Sequence, residues 1–415
     1  MSLISTLFTG VSGLSGQSKA MEIIGDNIAN VNTVGFKGSA PVFGDIFSTV
    51  LHNGAVTSQL GGGSQLAGVL QAWDQGAIEH SPNALDLAID GNGFFITSTY
   101  GDTDQFFTRN GQFRLNELGL VQSMTGEILK GFEYTSENVI STTMADIDLA
   151  GVQSSPNAST YFNSGTQLNA AATGTSTFIT PVTLYNTVGS IVTLNVTFTK
   201  VASANQWSYS AVPSDGTITA GATGTVTFNT SGQLSLVDGE TAADHTFEID
   251  FSSASTPAEN MTLNWDLVDS AGTTHGKLTG FAAASNNNSL VQDGYATGTL
   301  LGLSVTSEGV IMGLFNNGQT ENLNKIALAD FLAPSGLNRA GNNKYTESQE
   351  SGQPTIGLPN TGGLGKILGE SLELSNVDIA QAFVTMIKTQ QAYQASARLI
   401  TTTDDLLSES VNLVR

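Results

Sequence analysis

Residues 375–415 read SNVDIAQAFVTMIKTQQAYQASARLITTTDDLLSESVNLVR. Apolar residues recur here in alternating steps of four and three, and two polar residues interrupt them. This is the period of one helix face, so the stretch predicts a single helix about 55 Å long. Ser375 or Asn376 is the predicted N-cap. The predicted packing face consists of Ile379, Phe383, Met386, Tyr393, Ala397, Ile400, Leu407 and Val411.

A second stretch with the same spacing begins near the N-terminus. Four glycines, Gly10, Gly13, Gly16 and Gly25, lie within it, and each costs a helix about 1 kcal/mol relative to Ala. Such a helix needs a packing partner, and we predict a coiled-coil pair with the C-terminal helix. Two separate helices packed on a common core are the alternative. The predicted face consists of Leu3, Leu7, Val11, Leu14, Met21, Ile24 and Ile28.

The segment after this helix reads IIGDNIANVNTVGFKGS at 23–39. Asparagines such as Asn30 suit a helix end, because Asn tolerates the left-handed cap and bonds to nearby backbone. Gly35 allows a sharp change of direction, and Phe36 is a predicted anchor for the outgoing chain. We predict an elbow here. Phe36 packs either within its own subunit or into the next one.

Between the two helical ends the apolar period changes from helical to two. LDLAIDGNGFFITST at 85–99 and several stretches between 180 and 300 read as short strands separated by turn residues. Asn110–Gly111 predicts a hairpin between two strands. Regular turn spacing favours sandwich-like or barrel-like modules. The predicted fold class is therefore mainly β with long α-helical termini.

Low-complexity patches mark the predicted domain boundaries. They predict nested β domains carried on the helical pair. The division is 1–30 plus 372–415 as a terminal helical coiled-coil domain, 31–72 plus 353–371 as a connecting segment, 73–150 plus 288–352 as a first β domain, and 151–287 as an inserted outer β domain.

Charge and cysteine content restrict the function classes. The formal net charge is −22, which excludes binding of nucleic acid or anionic membranes through a general electrostatic field. There are no cysteines, so disulfides, thiolate metal sites and cysteine nucleophiles are excluded. The first 24 residues lack a basic start and a continuous apolar run. We therefore expect neither a secretory signal peptide nor a membrane span there.

Catalytic and cofactor motifs are not found. The four histidines, His52, His80, His245 and His275, show no metal-ligand spacing. The glycine-rich stretches DGNGFF and GGLGKIL lack key positions of the dinucleotide, calcium and phosphate loops. The sequence predicts no enzymatic activity, no cofactor and no metal.

An exposed aromatic face would indicate a carbohydrate-binding or adhesive protein. Trp207, Tyr209 and Trp265 are the candidates for such a face. Large aromatic side chains are usually buried, so we predict that these three are core residues.

Four motifs resemble the bacterial flagellar rod and hook axial protein family. GDNIANVNTVGFK at 25–37 resembles its N-terminal signature, and LELSNVDIAQAFVTMIKTQQAYQASARLITTTDDLL at 372–407 its C-terminal one. LAIDGNGFF at 87–95 and FTRNGQFRLNELGLV at 107–121 are similar to its first β domain. The motifs occur in the family order and cover both ends of the chain.

Within this family, the large block at 157–285 favours the hook type over the shorter distal rod type. That resemblance implies a structural subunit that polymerises head to tail into a curved, flexible tube. The tube is a universal joint that transmits motor torque from rod to filament. The residues of both helix faces, with Asn30, Gly35 and Phe36, would then be subunit-packing residues. A distal rod-type protein and a secreted adhesive protein are the alternatives.

The resemblance also implies partners and a location. The partners would be other copies of the chain, the flagellar rod, the hook cap, the hook–filament junction proteins and the type III flagellar export apparatus. Neither nucleic acid nor membrane insertion is expected. The location would be extracellular, in the hook and basal body of the flagellum, reached without a cleaved signal peptide.

Overall fold

The computed structural model describes most of the chain. The described residues are 3–46, 49–53, 56–102, 104–135, 139–202, 205–269 and 273–413, with backbone only in 3–4, 49–53, 56–60 and 413. Contacts divide the chain into two compact units. The first is Met1–Gly151, Gly302–Gly313 and Glu321–Arg415, and the second is Val152–Leu301 and Leu314–Thr320. The four-part division expected from the sequence stays a prediction.

Two long helices belong to the first unit and pack against each other. They are α1 (Leu3–Ala29) and α2 (Ile379–Leu413). This pairing, together with the strand-rich remainder, confirms the predicted fold class. Whether the pair supercoils as a coiled coil stays a prediction.

The N-cap of α2 differs from the predicted one. The Oδ1 atom of Asp378 accepts hydrogen bonds from the N–H groups of Ala380, at 2.8 Å, and Gln381, at 3.1 Å. Asp378 directly precedes α2 and is therefore its N-cap. The prediction of Ser375 or Asn376 was wrong, because the Asn376 side chain is bonded elsewhere.

Twelve strands of the first unit precede the second unit along the chain. They are β1 (Ser39–Asp45), β2 (Thr49–Asn53), β3 (Val56–Leu60), β4 (Ser64–Gln71), β5 (Ile78–His80), β6 (Leu87–Asp90), β7 (Phe94–Ser98), β8 (Gln105–Thr108), β9 (Phe113–Leu115), β10 (Val121–Ser123), β11 (Ile128–Tyr134) and β12 (Ile140–Asp146).

The next twelve strands form the body of the second unit. They are β13 (Gln153–Ser154), β14 (Tyr161–Gln167), β15 (Thr177–Tyr185), β16 (Ile191–Lys200), β17 (Gln206–Pro213), β18 (Thr217–Ala220), β19 (Thr223–Phe228), β20 (Leu234–Val237), β21 (Glu240–Thr241), β22 (His245–Asp250), β23 (Met261–Trp265) and β24 (Asn286–Gln292).

The last nine strands lead back to α2, with a short 3₁₀ turn at Pro334–Gly336. They are β25 (Gly298–Val305), β26 (Val310–Phe315), β27 (Thr320–Ile326), β28 (Leu328–Asp330), β29 (Asn338–Gly341), β30 (Lys344–Thr346), β31 (Thr355–Gly357), β32 (Lys366–Gly369) and β33 (Ser371–Glu373).

An antiparallel arrangement of β11, β7, β8, β30 and β29 as consecutive neighbours organises the first unit. Successive side chains of a strand point to opposite faces. Accordingly Phe95 of β7 joins one apolar cluster with Leu129 and Ile326, while Phe94 joins another with Phe331. Two short pairs, β5 with β33 and β6 with β32, attach the segment that leads into α2.

The predicted hairpin at Asn110–Gly111 was wrong. β8 pairs with β7 and β30, whereas β9 pairs with β10. The edge of β8 that a hairpin would use is therefore occupied by β30. Gly111 instead lies against Leu87, whose N–H donates to the Gly111 carbonyl at 2.9 Å, and no side chain would fit there.

The second unit contains two sheets that share one core. One sheet has the order β18-β22-β23-β14-β24, and the other β15-β16-β17-β19-β20-β21. Their inward side chains form a single buried cluster. Trp207, Tyr209 and Trp265 all lie in it, and the rings of Tyr209 and Trp265 meet edge to face at 5.5 Å. The prediction that these aromatics are core residues is confirmed.

Candidate functional site

The predicted packing residues of the two helices lie in different environments. On α1, Ile24 is buried, Leu7, Leu14, Met21 and Ile28 are half-buried, and Val11 is exposed. Asn30, directly after α1, is half-buried. The side chain of Leu3 lies outside the described residues. On α2, Met386, Tyr393, Ala397, Ile400 and Leu407 are half-buried, and Ile379, Phe383 and Val411 are exposed. Their role between subunits stays a prediction.

Glycines allow the close approach of α1 to α2. A Cβ atom on Gly10 would lie 2.8 Å from Cγ1 of Ile400, and one on Gly13 would lie 3.0 Å from Oγ of Ser396. Gly25, by contrast, has open space around it. The sequence shows these glycines only as a cost to the helix. The structure shows that two of them let the helices approach closely.

Both helices keep an apolar stripe that the pairing does not cover. On α1, Phe8 is 70% exposed and Val11 52%. On α2, Ile379, Phe383 and Ile387 are about half exposed at intervals of four residues, which places them on one side of the helix. Contiguous exposed apolar surface of this kind marks an interaction site.

The elbow comprises residues 30–39, between α1 and β1. Gly35 has a φ of +68°, a left-handed conformation that side chains disfavour. A Cβ there would lie 2.6 Å from the carbonyl carbon of Arg109, so the position has no room for one. The N–H of Gly35 donates to the carbonyl oxygen of Glu373 at 2.7 Å. The turn is therefore fixed by both conformation and packing.

Phe36 packs within its own subunit. Its side chain is only 6% exposed, and the guanidinium of Arg339 lies 5.8 Å from the ring centroid. This decides between the two alternatives that the sequence left open. Phe36 anchors the elbow to the β-rich part of the same unit, and its role between subunits stays a prediction.

A buried ion cluster lies beneath the elbow, and we call Lys37, Arg109 and Glu373 the Glu373 cluster. The Glu373 side chain is fully buried. Its Oε1 lies 2.6 Å from Nζ of Lys37, and its Oε2 lies 3.3 Å from Nη1 of Arg109. The N–H of Gly76 also donates to Oε1, at 2.9 Å. One carboxylate thus forms ion pairs with two cations and accepts a hydrogen bond from a backbone N–H group.

Two donors of the Glu373 cluster also bind backbone carbonyls. Nζ of Lys37 donates to the Asp74 carbonyl at 2.8 Å, and Nη2 of Arg109 donates to the Gly91 carbonyl at 2.9 Å. Burial lowers the pKa of Lys37, and the nearby Glu373 carboxylate only partly offsets this effect. Burial lowers the pKa of Arg109 for the same reason. Glu373 therefore supplies the negative charge that offsets the burial of both cations.

Two asparagines complete the elbow. Oδ1 of Asn376 accepts from the N–H of Gly38 at 2.8 Å, and its Nδ2 donates to the Ala72 carbonyl at 3.0 Å. Asn27 exchanges two hydrogen bonds with the backbone of Ser39, at 2.7 and 2.8 Å. The chain entering α2 and the chain leaving α1 are thus both held by side-chain amides.

Four family models match the chain. They are described as Flagella basal body rod protein over residues 7–37, Flagellar hook protein FlgE/F/G D1 domain over 88–161, Flagellar basal body protein FlaE D2 domain over 142–295, and Flagellar basal body rod FlgEFG protein C-terminal over 369–413.

Full-length relatives match as well. The flagellar hook protein FlgE of Borreliella burgdorferi is 32% identical over 99% of this chain and 100% of its own length. This chain belongs to the flagellar hook protein family. FlgE of Escherichia coli is 31% identical over 97% of this chain and 98% of its own length. FlgE of Treponema pallidum is 29% identical over the full length of both. The chain is accordingly a structural subunit of the flagellar hook.

The Glu373 cluster joins three of the family segments in this hook subunit. Lys37 ends the N-terminal match, Arg109 lies in the D1 match, and Glu373 lies in the C-terminal match. Sequence reasoning did not select these residues, although each stands in a motif quoted above. The chain contains only 12% charged residues. The sequence signal that could have indicated these three residues is that each is an isolated charged residue between apolar or small neighbours.

Among described residues, no group of three or more His, Cys, Asp or Glu side chains is placed to hold a metal ion. No helix within the described ranges is long and apolar enough to cross a membrane. The family to which the chain belongs is structural.

A second ion pair gives the hook subunit a predicted pH dependence. Burial raises the pKa of Glu127, but hydrogen bonds from Lys344, Ser123 and Thr125 outweigh it and lower this pKa from 4.5 to about 2. A lowered carboxyl pKa contributes stability that is fully present above the unfolded pKa of 4.5 and is lost as the pH falls through 2.

We therefore expect the Glu127→Gln variant to be less stable than the wild type by about 3 kcal/mol at pH 6. The difference should shrink steadily between pH 4.5 and pH 2, as the wild-type carboxyl takes up its proton. Urea unfolding at several pH values measures it. In a Lys344→Met background the pH dependence should be weaker, and an unchanged dependence there would contradict the assignment.

Proposed function

We propose that this hook subunit polymerises head to tail through the outward faces of its terminal helices. The product would be a curved, flexible tube that connects rod to filament and transmits motor torque. The observation that carries this proposal is the apolar stripe that both helices leave uncovered after they have paired. A stripe on each of two different helices suits a heterologous contact, and such contacts form open helical polymers.

The low net charge of the two helices also favours contact between neighbouring copies. α1 holds one basic and two acidic residues, and α2 holds two basic and three acidic ones. Each helix is therefore close to neutral within a chain of net charge −22. Neighbouring copies can approach along these helices with little repulsion. Each large apolar side chain that becomes fully buried contributes about 1.5–3 kcal/mol.

The elbow would carry force from the helices to the β strands. The Glu373 cluster, Asn376 and Asn27 fix the chain at both helix ends, and Phe36 anchors it by packing. Buried, hydrogen-bonded groups resist displacement better than a flexible linker does. This supports a role in which torque passes from the paired helices to the β strands of the same unit.

Partners and location follow from the same proposal. Membership of the hook family supports self-association and a place in the flagellum. We propose contacts with the rod, the hook cap and the hook–filament junction proteins. We also propose export through the type III flagellar apparatus to the extracellular hook without a cleaved signal peptide. In this proposal the chain has neither catalytic activity nor a cofactor.

The Phe383→Ser variant tests the proposal. Because Phe383 is half exposed in the single chain, its loss should change the free energy of unfolding by less than about 0.5 kcal/mol. In the polymer it should cost buried area, so we expect the critical concentration for tube formation to rise at least about tenfold. Sedimentation and electron microscopy measure this.

The exposed Gln394 provides a matched control on the same helix. Gln394→Ser should leave the critical concentration within about twofold of the wild type. Removal of residues 379–415 should abolish tubes while leaving Glu373 in place. Tubes formed by that shortened chain would contradict the proposed function.

A further inference from the structure

The inference concerns the Asn–Gly pairs of the chain, where asparagine is chemically labile. A glycine after asparagine leaves the backbone nitrogen free to approach the asparagine side chain, because no Cβ atom restricts the rotation. The chain contains four such pairs, Asn53–Gly54, Asn92–Gly93, Asn110–Gly111 and Asn317–Gly318. The first extends outside the described residues. The other three have the same local sequence signal but lie in different surroundings.

The pair at Asn317 is held by hydrogen bonds. Its Nδ2 donates to the Ala296 carbonyl at 2.9 Å, and its Oδ1 accepts from the N–H of Gln319 at 3.1 Å. The N–H of Gly318 donates to the Phe315 carbonyl at 3.0 Å. The glycine nitrogen can therefore reach the side chain only if these three hydrogen bonds are lost.

The pair at Asn110 is held by hydrogen bonds and by packing. Its Oδ1 accepts from the N–H of Gln112 at 3.0 Å, and its own N–H donates to Oγ1 of Thr108 at 3.0 Å. A Cβ atom on Gly111 would lie 1.6 Å from the carbonyl oxygen of Leu87. The backbone at this pair is thus enclosed, and a rotation that brings nitrogen and side chain together has no room.

The pair at Asn92 is not restrained in this way. The Asn92 side chain is exposed, and within the ranges that the structure describes its amide group has no hydrogen-bond partner. Among those same residues the N–H of Gly93 has no backbone acceptor either. Gly93 also has a φ of +122°, a conformation that glycine adopts readily. The backbone nitrogen and the side-chain carbon are therefore neighbours that no hydrogen bond keeps apart.

We propose that Asn92 is a site of spontaneous deamidation. The backbone nitrogen of Gly93 bonds to Cγ of Asn92, and the side-chain amide nitrogen leaves as ammonia with the proton that the Gly93 nitrogen loses. One water molecule then opens the succinimide ring. Cleavage of the new bond to Cγ gives aspartate, and cleavage of the original peptide bond gives isoaspartate. The reaction consumes one water, releases one ammonia and requires no oxidant.

The modified residue lies in a turn that contacts the Glu373 cluster. The carbonyl of Gly91 accepts from Nη2 of Arg109 at 2.9 Å, and the carbonyl of Asn92 accepts from the N–H of Gly365 at 2.8 Å. Isoaspartate adds one carbon to the backbone here, so both acceptors lose their geometry. Because deamidation accumulates with time, the elbow of an old subunit is held less firmly than that of a new one.

Ageing of the purified full chain tests the inference. The protein is kept at mildly alkaline pH and digested, and peptide masses report deamidation as a gain of about 1 Da. We expect Asn92 to deamidate at least about tenfold faster than Asn110 and Asn317. In urea the three rates should agree within about threefold, because the fold no longer restrains them. An unmodified Asn92, equal rates in the folded chain, or a difference that persists in urea would overturn the inference.

A second measurement concerns the effect on the turn. In the wild type, ageing should accelerate hydrogen exchange of the Gly365 amide at least about fivefold. Asn92→Gln cannot form the five-membered ring, so its Gly365 exchange should change less than about twofold on ageing. The matched control Asn110→Gln should age like the wild type. Equal acceleration in Asn92→Gln and the wild type would overturn the link between Asn92 and the turn.

Discussion

Replacement of Glu373 by Gln is expected to lower the free energy of unfolding of the first unit by about 3–5 kcal/mol. The Gln side chain keeps the size of Glu but removes the charge. Lys37, 1% exposed, and the buried Arg109 would then be two cations without a counterion. Removal of one partner from a buried ion cluster is costly because the other charges stay desolvated. Urea unfolding followed by circular dichroism measures the loss.

Two further variants make this prediction specific. Lys37→Met leaves one carboxylate with one cation, so it should cost less, about 1–2 kcal/mol. Glu347 is exposed, and Glu347→Gln should change the stability by less than about 0.5 kcal/mol. If Lys37→Met proved as damaging as Glu373→Gln, the carboxylate would not be the centre of the Glu373 cluster.

The Glu373→Gln substitution should also weaken the contacts that join the helices to the β strands. Glu373 accepts from the N–H of Gly35 through its carbonyl, and its carboxylate holds the elbow through Lys37. With the charge removed, the elbow should open to solvent. Amide hydrogen exchange of residues 30–39 should accelerate at least about tenfold, whereas exchange in the core of the second unit should not change.

Substitution of Gly10 by Val is expected to separate the two helices. Any Cβ there would lie 2.8 Å from Cγ1 of Ile400, and the β-branched side chain adds two methyl groups at the same point. Overpacking of this kind costs about 1–3 kcal/mol. Because the pair supports the proposed subunit contacts, the critical concentration for tubes should rise at least about tenfold.

The helix itself provides the control for this variant. Gly25 has open space around it, so Gly25→Ala should be tolerated and should stabilise α1 by about 0.5–1 kcal/mol. Ile400→Ala removes the atoms that a Cβ on Gly10 would meet. Combining it with Gly10→Val should restore part of the lost stability. A Gly10→Val chain that assembles like the wild type would contradict the close approach of the helices.

The periodicity of apolar residues alone was sufficient to predict the helices and strands that have one strong local pattern. The four–three spacing of apolar residues predicts both terminal helices, since 3.6 residues per turn place those side chains on one face. The period of two predicts the strands of the middle block in the same way. Gly35 could be assigned to a turn from its position after an asparagine-rich helix end. These features depend on neighbours in the chain, so the chain itself specifies them.

Pairing between distant segments could not be predicted in this way. Asn110–Gly111 has the local signal of a hairpin, but β30, more than 200 residues further along, occupies the edge of β8. The elbow was predicted without its central contact, because Lys37 and Glu373 are 336 residues apart. No local spacing relates such residues. Their meeting depends on how the strands between them fold.

The sequence by itself determined that this chain has helical ends around a β-rich middle, and its motifs placed it near the hook family. These properties are determined by side-chain period, turn chemistry and motif order, all of which are local. Only the tertiary structure decided that Phe36 anchors within its own subunit, that Gly10 and Gly13 allow the helices to approach, and that Glu373 balances two cations. Those facts depend on the enclosure of distant segments in one desolvated space, where an unpaired charge or an added methyl group is costly.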